Sequence, residues 1–141
     1  KIDSDPESEE VKNAERHLWE KIYKKSGQGR RTGVGITAEG DMIAAMGLRY
    51  GTEEATAFSE EVHKTVALEA YRSSVNMAKE RGAFAIYDWE REKDNPFVNR
   101  IKEADPALYE EMKQFGRRNI ACLTQELNFI SAHKESTLEN I

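Results

Sequence analysis

At 141 residues and a formal charge of −5, the chain has the length of one domain, and its acidity argues against a general binder of nucleic-acid phosphates. With 38% hydrophobic and 33% charged residues, it suits amphipathic helices with wide polar faces and does not suit a large buried sheet. A single cysteine, Cys122, leaves no internal disulfide and points to a reducing cytoplasm, and no apolar run approaches the ~20 residues that span a bilayer.

The chain opens on Lys1 without an initiator methionine, which suggests an excised or processed piece. Ser4-Asp5-Pro6-Glu7 reads as a helix start, with Ser4 or Asp5 as cap and Pro6 in the first turn. Val11, Ala14, Leu18 and Ile22 then mark one helical face, with Trp19 and Tyr23 beside it. This places a helix at about 6–25, stopped by Ser26-Gly27-Gln28-Gly29. Thr32–Thr37 alternates small and β-branched residues and is the better strand candidate of the first half. Glu39–Met46 reads as a short helix closed by Gly47.

Thr52 caps the longest expected element, a helix from Glu53 to Arg81 with Gly82 as its stop. Its stripe is Phe58, Val62, Val66, Ala70, Ser74 and Ala78, widened by Leu68, Tyr71 and Val75. At 1.5 Å per residue it would be about 43 Å long. Asn95-Pro96 and Asp105-Pro106 each join a cap to a proline at the first helical position, so two short helices follow, the second ending at Gly116. Asn119–Thr124 is short and apolar, as a buried strand would be, and the polar tail from Gln125 holds at most a helix around 134–140.

Few of these residues suggest chemistry. Gly33-Val34-Gly35-Ile36-Thr37-Ala38 matches a dinucleotide-binding pattern, but that motif needs a strand before its first glycine and a helix after it. Here a loop precedes the glycines, so their expected role is to let another backbone or a ligand come close. Arg30, Arg31 and Gly33–Gly35 remain a weak nucleotide-binding alternative, and Arg117-Arg118 a pair that is more often solvated or ion-paired than phosphate-bound. His17, His63 and His133 lack metal-site spacing, and the pairs Glu53-Glu54, Glu60-Glu61 and Glu110-Glu111 read as solvated faces. Cys122, flanked by Ala121 and Leu123 with no local activating cation, reads as an inert core thiol. No complete active site assembles: no catalytic or metal-binding residue is assigned, and cofactor-binding residues stay unknown.

Longer motifs are more informative. Arg30-Arg31-Thr32-Gly33-Val34-Gly35-Ile36-Thr37, Glu39-Gly40-Asp41-Met42 and Leu48-Arg49-Tyr50-Gly51 are followed by Ala70-Tyr71-Arg72-Ser73-Ser74-Val75. Ala78-Lys79-Glu80-Arg81-Gly82-Ala83-Phe84 and Gly116-Arg117-Arg118-Asn119-Ile120-Ala121-Cys122-Leu123-Thr124 complete the set, in order. In this the chain resembles the catalytic subunit of ribonucleotide reductase, above all its adenosylcobalamin-dependent (class II) form, over about 1–124.

The resemblance implies a fragment of a ten-stranded α/β barrel, with 32–37 and 119–124 as two strands and the helices outside. It implies a parent enzyme that reduces ribonucleotides to deoxyribonucleotides with a thiyl radical generated by adenosylcobalamin. The family's Asn-x-Cys-x-Glu radical segment, its redox cysteines and its Pro-Thr-Gly-Thr loop after the second strand do not occur in this sequence. The isolated chain is therefore expected to be inactive and without cofactor, its nucleotide substrate met only in the full-length parent. Two strands cut from a barrel expose edges and apolar helix faces. The expected product is a mainly α domain with two short strands at 1–124, a divergent tail at 125–141, partnership with the rest of the reductase chain, and self-association. A standalone helical interaction module is the alternative.

Overall fold

The computed structural model describes residues 2–124; the expected helix around 134–140 and the whole tail lie outside them. After an N-terminal 3-10 turn, Ile2–Ser4, the helices are α1 (Glu9–Gly29), α2 (Glu39–Ala45), α3 (Glu53–Arg81), α4 (Trp89–Glu92), α5 (Pro96–Ala104) and α6 (Pro106–Phe115).

Helix α3 starts and stops where its local signals put it. Thr52 accepts from the Ala55 amide at its N-terminus, and Gly82, at φ 77°, ends it. The caps Asn95 and Asp105 likewise open α5 and α6, each with proline in the first turn. The core lies where these three helices meet: Tyr71 and Val75 of α3, Val98 and Ile101 of α5, Leu108 and Met112 of α6, and Cys122 beneath them. Tyr71 tilts against Phe97 at 4.8 Å, and Trp89 meets Tyr109 edge-on at 5.4 Å.

Asp105 does two jobs at the α5–α6 corner. Its carboxylate accepts from the Leu108 amide at 3.0 Å and pairs with Arg72 of α3. The Leu108 amide above all, then the Arg72 guanidinium, hold the carboxyl below its ordinary range. A lowered folded-state pKa contributes stability above the unfolded value and loses it as pH falls through the folded one. Asp105→Ala should cost about 1 kcal/mol, as cap losses do, and flatten the acid limb of a urea-stability profile below pH 4; Asp105→Asn should keep most of the cap.

Three expectations need correction. Helix α1 starts later and ends later than 6–25: its cap is Ser8, accepting from the Val11 amide, and Pro6 lies outside the helix. It runs through Gly27 and Gly29 to a left-handed Arg30 at φ 49°. Tertiary bonds hold that last turn, since the Gln28 carbonyl accepts from Ala85 N and the Gly29 carbonyl from Ile120 N. Helix α4, capped by Asp88, was not foreseen.

The third correction concerns the sheet. Neither 32–37 nor 119–124 forms a strand; among the described residues the two segments meet at one isolated parallel bridge, Val34 to Leu123. Two segments alone make a marginal pair, which further strands would stabilise.

Candidate functional site

A dense set of polar contacts lies at the seam between residues 28–35 and 116–124, laid across α3. Thr32 N donates to Ala121 O at 3.0 Å, Val34 N to Cys122 O at 2.8 Å, and Thr124 N returns to Val34 O at 3.0 Å. The glycines make this approach possible. A Cβ on Gly35 would lie 2.4 Å from the Thr124 carbonyl oxygen, and one on Gly33 would lie 2.6 Å from the Thr124 methyl. At Gly35 the close neighbour is backbone, as one of the two expected roles has it, and at Gly33 it is the Thr124 side chain.

Ser74 of α3 is the fixed point under the seam. Its hydroxyl donates to Asn119 Oδ1 at 2.9 Å and accepts from Asn119 N at 3.0 Å, while Asn119 Nδ2 donates to Arg30 O at 2.8 Å. Arg117 is almost fully buried and spends its guanidinium on Glu92 (3.0 and 3.2 Å), Asn119 O (3.1 Å) and Ile120 O (3.2 Å). It also stacks over Tyr71 and Phe84, at 5.8 and 5.6 Å from the ring centres. Arg118 donates to the carbonyls of Arg81 and Gly82, closing the C-terminus of α3. The two arginines thus sit on protein partners, and a phosphate would have to displace them.

The same geometry disposes of the dinucleotide reading. The amides of Thr32 and Val34 are consumed by the seam, and the next helix, α2, carries Glu39 and Asp41 in its first turn, where an anion would be repelled. Burial pushes the Cys122 thiol above its ordinary range, so it stays a neutral core group and not a thiolate. Among the described residues no group of three or more His, Cys, Asp or Glu is placed to hold a metal. His17 is exposed on α1, and His133 lies outside the described residues.

A second cluster joins α2 to α3. The Ser59 hydroxyl donates to the Glu39 carboxylate, and His63 Nδ1 lies 2.9 Å from Ser59 O. The acid contacts the serine and not the histidine, so the order of a nucleophile, base and orienting acid is not met. His63, Lys64, Phe97, Arg100 and Leu123 line a groove of about 680 Å³ between α3 and α5.

Sequence reasoning missed Glu92 and the Ser74–Asn119 pair. A serine inside an otherwise apolar stripe was the available signal, because a buried hydroxyl needs a partner. Tyr87 was missed too. Its hydroxyl donates to Met112 O at 2.8 Å, and burial pushes it up to about 12. With the folded pKa raised above the ordinary 10.0, stability is full below pH 10 and is lost as pH climbs toward 12. An alkaline titration followed by circular dichroism should show that loss, and Tyr87→Phe should reduce it while costing about 1 kcal/mol at neutral pH.

Comparison with known proteins fits the seam into a family. A family model described as ribonucleotide reductase, barrel domain, matches residues 9–125. The chain belongs to that family. It is 34% identical over 65 residues to a ribonucleoside-diphosphate reductase subunit alpha of Chlamydia pneumoniae, covering 44% of this chain and 6% of the relative. It is 30% identical over 87 residues to a vitamin B12-dependent ribonucleoside-diphosphate reductase of Thermoplasma acidophilum, covering 60% of this chain and 11% of the relative. A ribonucleoside-diphosphate reductase large subunit of African swine fever virus is 33% identical over 54 residues, 38% of this chain and 7% of the relative. The chain therefore spans only 6% to 11% of the length of these relatives. No solved structure matches it. In this barrel-domain segment the seam residues 28–35 and 116–124 all fall within the matched span.

Proposed function

We propose that this chain is a wall segment of the catalytic barrel of a ribonucleotide reductase, an enzyme converting ribonucleotides to deoxyribonucleotides for DNA synthesis. The observation that carries this is the seam: 32–34 lies parallel to 121–124 with glycines at 33 and 35 facing Thr124, as two neighbouring barrel strands would. The outward edges of both segments are the places where further strands of a longer chain would pair. In this reading 32–37 and 119–124 become strands in the ten-stranded barrel, α3, α5 and α6 pack outside it, and residues 125–141 form a separate, divergent tail. Thiyl-radical chemistry falls to cysteines elsewhere in the parent, and this chain's part is to hold the wall. By itself it would be inactive, and its setting would be the cytoplasm.

The adenosylcobalamin-dependent form is the favoured class, supported by the vitamin B12-dependent relative and by the motif set. The described residues do not fit the cofactor itself. The α3–α5 groove of about 680 Å³ has the size of a drug-like pocket, too small for a corrin with its nucleotide tail. His63 Nδ1 is turned to Ser59 O. No step involving cobalamin is assigned to this chain.

Reading the coding sequence on either side tests the proposal. An Asn-x-Cys-x-Glu segment upstream and Pro-Thr-Gly-Thr downstream, both in frame, are the expected result. A start codon just before Lys1 with a stop after Ile141 would overturn it and leave the helical interaction module, which the exposed apolar stripe of α1 favours.

A further inference from the structure

We propose that α1 pairs antiparallel with α1 of a second copy of this chain, about a twofold axis near Leu18. The inference goes beyond the reductase reading and does not depend on it. Helix α1 is anchored at its C-terminal turn, through Gln28, Gly29 and Arg30, and the 3-10 turn folds back onto it through Asp3 and Arg16, while the face of Val11, Leu18 and Ile22 stays exposed. Val11, Leu18 and Ile22 share one face with Trp19 at its side, and Leu18 and Trp19 stay 55% and 58% exposed. In helices of the core such residues are covered; here the spacing of seven between Val11 and Leu18, with Ile22 four further on, forms the seam of a helix pair.

Charge selects the occupant and its direction. Residues 7–10 hold three acids (Glu7, Glu9, Glu10) and no base, while residues 21–25 hold three bases (Lys21, Lys24, Lys25) and no acid; Asp3 is folded back onto Arg16 at 2.6 Å and lies outside the acidic end. An antiparallel pair lays each acidic end along the partner's basic end, twice over, and opposes the two helix dipoles. A parallel pair would stack like on like. Self-complementarity of this kind is what a twofold interface needs, because the same patch must serve both sides. The helix is about 31 Å long, and a single pair of that length sits at the small end of stable interfaces, so the dissociation constant should be micromolar.

Sedimentation equilibrium of the 141-residue chain across micromolar concentrations tests this. A monomer–dimer equilibrium that weakens with added salt is expected. Leu18→Asp with Ile22→Asp, both exposed sites, should raise the dissociation constant at least about tenfold without changing helicity by circular dichroism. Lys21→Glu/Lys24→Glu/Lys25→Glu should be monomeric alone and should regain association when mixed with Glu7→Lys/Glu9→Lys/Glu10→Lys. In a Leu18→Cys variant, oxidation should link the two copies at this one position. A monomer at every concentration, a dimer indifferent to the Leu18 and Ile22 changes, or association only with a separately produced remainder of the reductase would each overturn the proposal.

Discussion

Replacing Arg117 with methionine should cost about 3–5 kcal/mol in urea unfolding. The Arg117 and Glu92 side chains are only 6% and 16% exposed. Removing the guanidinium leaves a mostly buried carboxylate without its counter-charge and two carbonyls, of Asn119 and Ile120, without their donor. The second change separates charge burial from packing. Arg117→Met with Glu92→Leu should recover much of the loss, because a well-packed apolar pair often replaces a buried ion pair at little cost. A double variant as unstable as the single one would show that the backbone bonds, and not the carboxylate, set the cost.

Gly35→Ala should open the seam. The added Cβ would lie 2.4 Å from the Thr124 carbonyl oxygen, which is backbone and has no rotamer to yield. Overpacking of this kind costs about 1–3 kcal/mol, and it should act on the bridge first. Amide hydrogen exchange at Val34 and Thr124 should speed up well before the α3–α5–α6 core loosens. Gly27→Ala is the internal control. Gly27 lies inside α1, and a methyl group there would meet nothing within 4 Å, so the same change should stabilise by about 0.5–1 kcal/mol. If Gly35→Ala left exchange at the bridge unchanged, the seam would not depend on close approach at that glycine.

The two variants also mark the limits of reading this chain from its residues. The glycine pattern at 33 and 35 announced a close neighbour, yet nothing near it in sequence said that the neighbour would be Thr124. Arg117-Arg118 announced charge, and the two residues then divided: Arg117 turned inward to Glu92, and Arg118 closed the end of α3. Cys122 was legible as an inert thiol from its apolar flanks, and burial agrees. The ribonucleotide reductase resemblance rested on ordered motifs, and the family match over 9–125 supports it.

By itself the sequence determined α3, α5 and α6, because a cap, a first-turn proline and a terminal glycine act within one turn of the residues they organise. Tertiary structure decided the rest. Helix α1 ran past two glycines because Ala85 and Ile120 bind its last carbonyls. The expected strands reduced to a single bridge, and the partner of Val34 is Leu123, far along the chain, so local sequence could not set that pairing. The staple of Arg117, Glu92, Ser74 and Asn119 likewise joins residues up to 45 positions apart, and only folding brings their charges and hydrogen bonds within reach.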